Sequence, residues 1–267
     1  MGDNIYSRKE WVERFVHPSP ADSFDEERLR NIVGAIPEDA RAILDVGLGG
    51  GFIFGELKRK NGVRCFGIDL SPELVGRLKD PRVCVADAKN IPFKDRQFDL
   101  VLAADILEHL KDEYFDESVS ELKRVSRKYI LINSPFKDAI DWPVALCNKC
   151  NREFNVYGHI RAVNEKLINR LFPKAEFDIV NMKVFGKRRD ARPSAVVRAA
   201  RKLGKVYSAE GALCPYCFND SIERPSRNAI EACFGKVSAA IFFLMDRLTP
   251  SILKQGSEIS VLLRKRL

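Results

Sequence analysis

From residue 42 to residue 132, short apolar runs alternate with turns and stretches of helical period. The runs are Ala42 to Val46, Val63 to Ile68, Val83 to Ala86, Phe98 to Ala103 and Tyr129 to Ile132. Continuous apolar runs this short, without polar alternation, read as strands buried on both faces. Phe52 to Arg59 and Phe115 to Arg127 read as helices between them, and a third helix opens at Ser71-Pro72-Glu73, with Ser71 as cap and Pro72 at the first position. Strands alternating with helices predict an α/β chain with a parallel, doubly wound sheet, because right-handed crossovers put helices on both faces.

The flanks follow other rules. Residues 1–40 read as an N-terminal helical cap, with Tyr6, Trp11 and Phe15 near helical spacing and a second helix from Asp25 to Ile36 after Ser23. The core is expected over 41–187, with an irregular stretch from Asp141 to Tyr157, a helix from Asn164 to Phe172 and a strand from Phe177 to Phe185. Residues 188–256 read as a helical insertion, and 257–267 as the final core strand, centred on Glu258 to Leu263.

Four features fall in order at the carboxyl ends of successive strands, the edge where open α/β sheets bind ligands. The first is the loop Asp45-Val46-Gly47-Leu48-Gly49-Gly50-Gly51. Its glycines let backbone approach a ligand without β-carbons in the way. Phe52 stands where a dinucleotide fingerprint requires glycine, so that reading fails. The second is Asp69, a carboxylate able to accept both hydroxyls of a ribose. The third is Asp87, able to accept from an exocyclic amine, and the fourth is Phe98-Asp99-Leu100-Val101 followed by Ala103-Ala104-Asp105. Each has a bland reading as a turn or cap.

Together with Ile91-Pro92-Phe93, Gln97-Phe98-Asp99 and Leu107-Glu108-His109-Leu110, these features resemble class I S-adenosylmethionine-dependent methyltransferases of the methyltransferase-11 type. The resemblance covers about residues 40–187 plus the last strand. It implies a Rossmann-like seven-stranded methyltransferase sheet. It also implies S-adenosylmethionine held by Asp45, Gly47, Gly49, Gly51, Asp69, Leu70, Asp87, Ala88 and Ala104, with Gly47 and Gly49 at the methionine part, Asp69 at the ribose and Asp87 with Ala88 at the adenine. A sulfonium methyl is already activated, so the enzyme mainly aligns a nucleophile, and a base helps only where a proton must leave. The candidates for that role are Asp105, Glu108, His109 and His159.

Cys147-Asn148-Lys149-Cys150 and Cys214-Pro215-Tyr216-Cys217 have the spacing of a tetrahedral four-thiolate zinc site with no open position. A small insertion lacks a large core and gains stability from such a clip, so structural zinc is expected on Cys147, Cys150, Cys214 and Cys217. Free thiols or a redox pair are the alternative.

The net charge of +8 on 267 residues favours anionic partners without choosing among them. The acceptor is expected to be a small molecule, sugar or lipid. RNA is the alternative, read by the zinc region and the Lys187-Arg188-Arg189 run. No apolar stretch reaches the length of a membrane span and the start lacks a signal peptide, so a cytoplasmic enzyme is expected. The oligomeric state is not legible. The helix Ala229 to Leu248 has an apolar face with Phe234, Val237, Ile241 and Leu244, which suits either a lid or an interface.

Overall fold

A computed structural model of the chain describes residues 5–15, 23–137, 140–186, 194–209, 211–252 and 256–266. Its helices are α1 (Lys9–Phe15), α2 (Ser23–Gly34), α3 (Phe52–Arg59), α4 (Pro72–Leu78), α5 (Phe115–Val125), α6 (Glu165–Leu171), α7 (Ser194–Gly204) and α8 (Ala229–Ile252). Its strands are β1 (Ala42–Val46), β2 (Arg64–Asp69), β3 (Val83–Val85), β4 (Phe98–Ala104), β5 (Ser126–Pro135), β6 (Val144–Leu146), β7 (Glu153–Asn155), β8 (Phe177–Phe185) and β9 (Glu258–Lys265). They form two compact units: residues 1–136, 163–186 and 258–267, and residues 137–162 and 187–257.

The first unit is a seven-stranded sheet in the order β3-β2-β1-β4-β5-β9-β8, the Rossmann-like methyltransferase fold. β1 to β5 run parallel, and β9 enters antiparallel to both β5 and β8, so the sheet is mixed rather than wholly parallel. Every residue of β1 and β4 is buried, as central strands covered on both faces require. Val101, Ala103, Ile130, Ile132 and Val261 face one core, joined by Val119 and Leu122 of α5. Leu100, Leu102 and Leu131 face the other, joined by Ile32 of α2 and Phe54 and Leu57 of α3. Ser71 caps α4 by accepting the Leu74 N–H at 3.4 Å, with Pro72 at the first position, as the sequence predicts.

The helix read as ending at Arg127 stops at Val125, and β5 begins at Ser126, opposite Phe98. Asp99 explains this extension. Its Oδ2 accepts the N–H groups of Arg41 and Ala42, and its Oδ1 binds the Arg127 guanidinium. The acid at the start of β4 therefore ties the entrance of β1 to β5, at the edge opposite the ligand loops. Burial pushes its pKa up, but the Ala42 N–H, Arg127 and the Arg41 N–H outweigh that and hold it low.

The second unit contains the β6–β7 antiparallel hairpin, so the stretch from Asp141 to Tyr157 is not irregular throughout. It also holds α7 and α8. Val197, Ala200 and Phe242 make a small core with Trp142 against it. A β-carbon on Gly204 would lie 2.7 Å from the Gly235 backbone nitrogen, so the two helices touch at backbone. The loop 137–162, which in sequence reads as part of the core, divides with the insertion.

Candidate active site and candidate metal centre

The carboxyl edge of the first unit's sheet gathers the expected ligand residues. The backbone turns out of β1 through Gly47, Gly49 and Gly51, all at positive φ. At Gly51 (φ +78°) a β-carbon would also lie 2.6 Å from a Leu78 methyl. At Gly49 the same probe meets nothing closer than a carbonyl 4.0 Å away, leaving open space at that position. The Gly47 and Leu48 N–H groups bond the Ile68 carbonyl at 2.8 and 3.1 Å, anchoring the loop to β2.

Asp69 holds the loop from the other side. Its Oδ2 accepts the Gly49 N–H at 3.0 Å and its Oδ1 the Ser71 N–H at 2.8 Å. The two oxygens together offer about four acceptor sites, so the carboxylate positions the loop and still has acceptor capacity. Burial pushes its pKa up against the backbone N–H groups of Ser71, Gly49 and Leu70. Asp45 is 1% exposed, and its Oδ2 has no hydrogen-bond partner among the described residues. Burial, reinforced by the charge of Asp69, raises its pKa to about 7. Asp87 accepts the Lys89 N–H at 3.2 Å, with the Lys89 ammonium 3.8 Å away, and Ala88 beside it is buried. Leu70 follows Asp69 directly, and Ala104, also buried, ends β4.

Beyond β4 lies a network that sequence reasoning missed. Asp105 sits at φ +53°, a backbone state uncommon outside glycine, with its N–H on the Asn133 carbonyl at 2.9 Å. Its carboxylate pairs with the Arg28 guanidinium, from α2. That guanidinium carbon lies 6.0 Å from the Phe52 ring centre, at the start of α3. The Asn133 amide donates to Glu258 at 2.9 Å and approaches Asp105 at 3.5 Å. Ser134, on the opposite face of β5, donates to Glu108 at 2.9 Å. No local motif announces Arg28 or Glu258, although an acid opening the last apolar strand was a signal for the latter. The His109 ring lies 5.0 Å from that of Tyr6, in the same unit. His159 belongs to the second unit, 5.9 Å from the Tyr157 ring, so the two candidate histidines fall in different units.

In the second unit the four paired cysteines come together. Their sulfur atoms lie within 4.8 Å of one another, with Cys147 to Cys217 at 3.5 Å and Cys150 to Cys214 at 3.6 Å. A disulfide needs about 2.05 Å, whereas four thiolates about 2.3 Å from one zinc ion lie roughly 3.8 Å apart. Each pair folds identically. The N–H of Asn151 bonds the Cys147 carbonyl at 2.8 Å, and that of Phe218 bonds the Cys214 carbonyl at 3.0 Å. The Cys147 N–H bonds the Arg152 carbonyl at 3.0 Å, and the Cys214 N–H the Asn219 carbonyl at 2.9 Å. Asn151 and Phe218 both take positive φ, 56° and 57°. Burial raises the Cys147 pKa, but the Cys150 and Lys149 N–H groups outweigh it and draw it down to about 6, while burial pushes Cys214 up to about 12. The Lys187-Arg188-Arg189 run lies outside the described residues.

Comparison with known proteins agrees with the sheet. Residues 44–129 match a methyltransferase-domain family model of the methyltransferase-11 type. The chain is 33% identical over 109 residues to norajmaline N-methyltransferase of Rauvolfia serpentina, a match spanning 37% of this chain and 37% of that enzyme. It is 36% identical over 115 residues to the chloroplastic tocopherol O-methyltransferase of Arabidopsis thaliana, 38% of this chain and 32% of that enzyme. The chain thus spans about a third of the length of these relatives. A methyltransferase structure from Archaeoglobus fulgidus superposes with a TM-score of 0.52 at 20% identity, covering 90% of this chain and 92% of its own.

Proposed function

We propose that the first unit is an S-adenosylmethionine-dependent methyltransferase acting on a small-molecule, sugar or lipid-type acceptor. The observation that carries this reading is Asp45: a buried carboxylate beside a second acid, with an oxygen lacking a partner among the described residues, on the strand that leads into a glycine loop open at Gly49. A buried carboxylate in that state calls for a cation. S-adenosylmethionine is cationic at both its sulfonium and its amino group, so the residues fit it. Asp45 with Gly47, Gly49 and Gly51 would hold the methionine part, Asp69 with Leu70 the ribose, and Asp87 with Ala88 the adenine, with Ala104 bordering the same edge.

The cofactor supplies a methyl group on a positively charged sulfur, already poised for displacement. The chain's own task is then alignment and proton control. Asp105 is held in place by Arg28 and Asn133, which orients its carboxylate rather than leaving it free to swing. His109, whose ring packs against that of Tyr6, is one candidate proton acceptor for a substrate that must lose a proton, alongside His159 and Asp105. The relatives' names point to nitrogen and oxygen atoms of small molecules, and that supports a small acceptor over RNA.

We propose in addition that Cys147, Cys150, Cys214 and Cys217 hold one structural zinc ion. The two matching turns support this, since two disulfides would not require the same hydrogen bonds in both. Equilibrium binding of labelled cofactor, followed by transfer to fractionated cell extract, tests the main reading. Binding abolished by Asp69→Ala, with label appearing in the small-molecule or lipid fraction, is expected. Label confined to nucleic acid would refute the acceptor class, and absence of binding would refute the activity.

A further inference from the structure

The charge of this protein is unevenly divided. The second unit contains 17 of the 45 lysines and arginines but only nine of the 37 acids, so it carries the whole net charge of +8 and the first unit is neutral. A zinc ion on four thiolates would subtract two charges and leave the unit strongly basic.

The same unit bears an apolar helical face with no cover among the described residues. On α8, Ile230 is 69% exposed, Phe234 44%, Val237 52%, Ile241 40% and Leu244 56%. At 100° per residue these five fall within an arc of about 80°. The opposite flank, with Gly235 and Phe242, is the buried one that packs toward α7. Lys236 and Arg247, both exposed, border the stripe on its free side, and Phe243, 64% exposed, lies beyond them.

We infer that α8 is a membrane-surface helix that docks the protein onto an anionic lipid bilayer. An apolar stripe beside basic residues, in a basic unit, is the pattern of a helix lying in the plane of a charged interface. No described helix is long and apolar enough to cross a membrane, so α8 lies on the surface and does not span. Lys236 and Arg247 reach past the apolar boundary to headgroups while their stems stay with it. A second copy of this chain fits less well. The seam has the spacing of a coiled coil, but its free flank offers Lys236 and Arg247 with no acid to pair across, and each copy would bring the same positive charge. RNA accounts for the charge and leaves five exposed apolar side chains without a role.

The test is sedimentation of the full-length, metal-loaded chain with vesicles of equal parts phosphatidylglycerol and phosphatidylcholine, against vesicles of phosphatidylcholine alone. Binding to the anionic vesicles is expected, weakening as salt rises. The pair Ile241→Asp with Leu244→Asp should reduce partitioning by about tenfold or more, because two apolar anchors are lost and two acids gained. Both side chains are exposed, so the pair should fold, and unchanged metal content and circular dichroism verify that; Ile241→Ala with Leu244→Ala provides a milder second variant. Equal binding to both vesicle types would overturn the proposal. So would vesicle binding that the aspartate pair leaves unchanged. Failure to bind, accompanied by a dimer that the aspartate pair dissolves, would assign the face to a second copy. Failure to bind, accompanied by RNA affinity that the pair leaves intact, would assign the charge to RNA. Cofactor binding is measured on the same samples, so loss of docking and loss of the methyltransferase reading are distinguishable.

Discussion

The two units solve the problem of stability by different means. The first buries large side chains on both faces of a seven-stranded sheet, among them Phe54, Phe98, Leu100 and Leu102 at 2% exposure or less. The second has a core of few residues, Val197, Ala200 and Phe242 beside Trp142, and a separate cluster built around its cysteines. Charge divides the same way: the first unit is neutral overall yet buries Asp45 beside Asp69 at one sheet edge, and the second carries the net positive charge. A large core tolerates a strained, electrostatically frustrated edge, whereas a small core needs a covalent or metal clip.

The sharpest break of this contrast is Cys214→Ser. Removing one ligand should release the metal and unfold the second unit, since structural zinc supplies about 10 kcal/mol or more of folding free energy in small domains. Hydrogen exchange should rise in β6, β7 and α7 while β1, β4 and β5 stay protected. Elemental analysis should fall from one zinc per chain to none. Uniform exchange across both units would deny that they are separately stabilised.

The converse change is Leu102→Ala. It empties part of a fully buried site in the first unit, at an expected cost of about 2–5 kcal/mol. Urea unfolding should lose that much for the first unit, with zinc content unchanged. A smaller effect tests the helical part of the second unit. Gly204→Ala drives a β-carbon into the Gly235 backbone, and overpacking of this kind costs about 1–3 kcal/mol. Proteolysis between α7 and α8 should accelerate while cofactor binding remains.

What the sequence made legible follows the same division. β1 to β5 were readable because strands buried on both faces are written as apolar runs, and the glycine loop because its backbone geometry demands the residue. The cysteine turns were readable from spacing, but not their matching hydrogen bonds. Asp99 read as a strand-start signature, and its work of tying β1 to β5 appeared only when Arg127 arrived from across the sheet. Arg28 and Glu258 reach Asp105 and Asn133 over separations of 77 and 125 residues, and no local pattern encodes such a meeting. β6 and β7 are three residues each, too short for a period. The partition of charge was hidden because it depends on residues 137–162 grouping with the insertion.

The smallest expected effect separates stability from ligand binding at the sheet edge. Asp45 has its pKa raised from an ordinary value of 3.8 to about 7, first by burial and then by the charge of Asp69. Between those values the folded chain keeps a proton that the unfolded chain has released. Stability from this group therefore falls as pH rises from about 4 to about 7, and stays lost above. Asp45→Asn removes the titration. Without ligand, the variant should be more stable than the parent at about pH 8 by about 1–2 kcal/mol, less than the full shift because an unpaired amide remains. Near pH 4 the two should converge. Urea midpoints at both pH values measure this. The same substitution should weaken cofactor binding by about tenfold or more, because a cation loses its counter-charge. A variant less stable at pH 8 would mean that Asp45 is paired inside the fold, and the argument for a cationic ligand above the glycine loop would go with it.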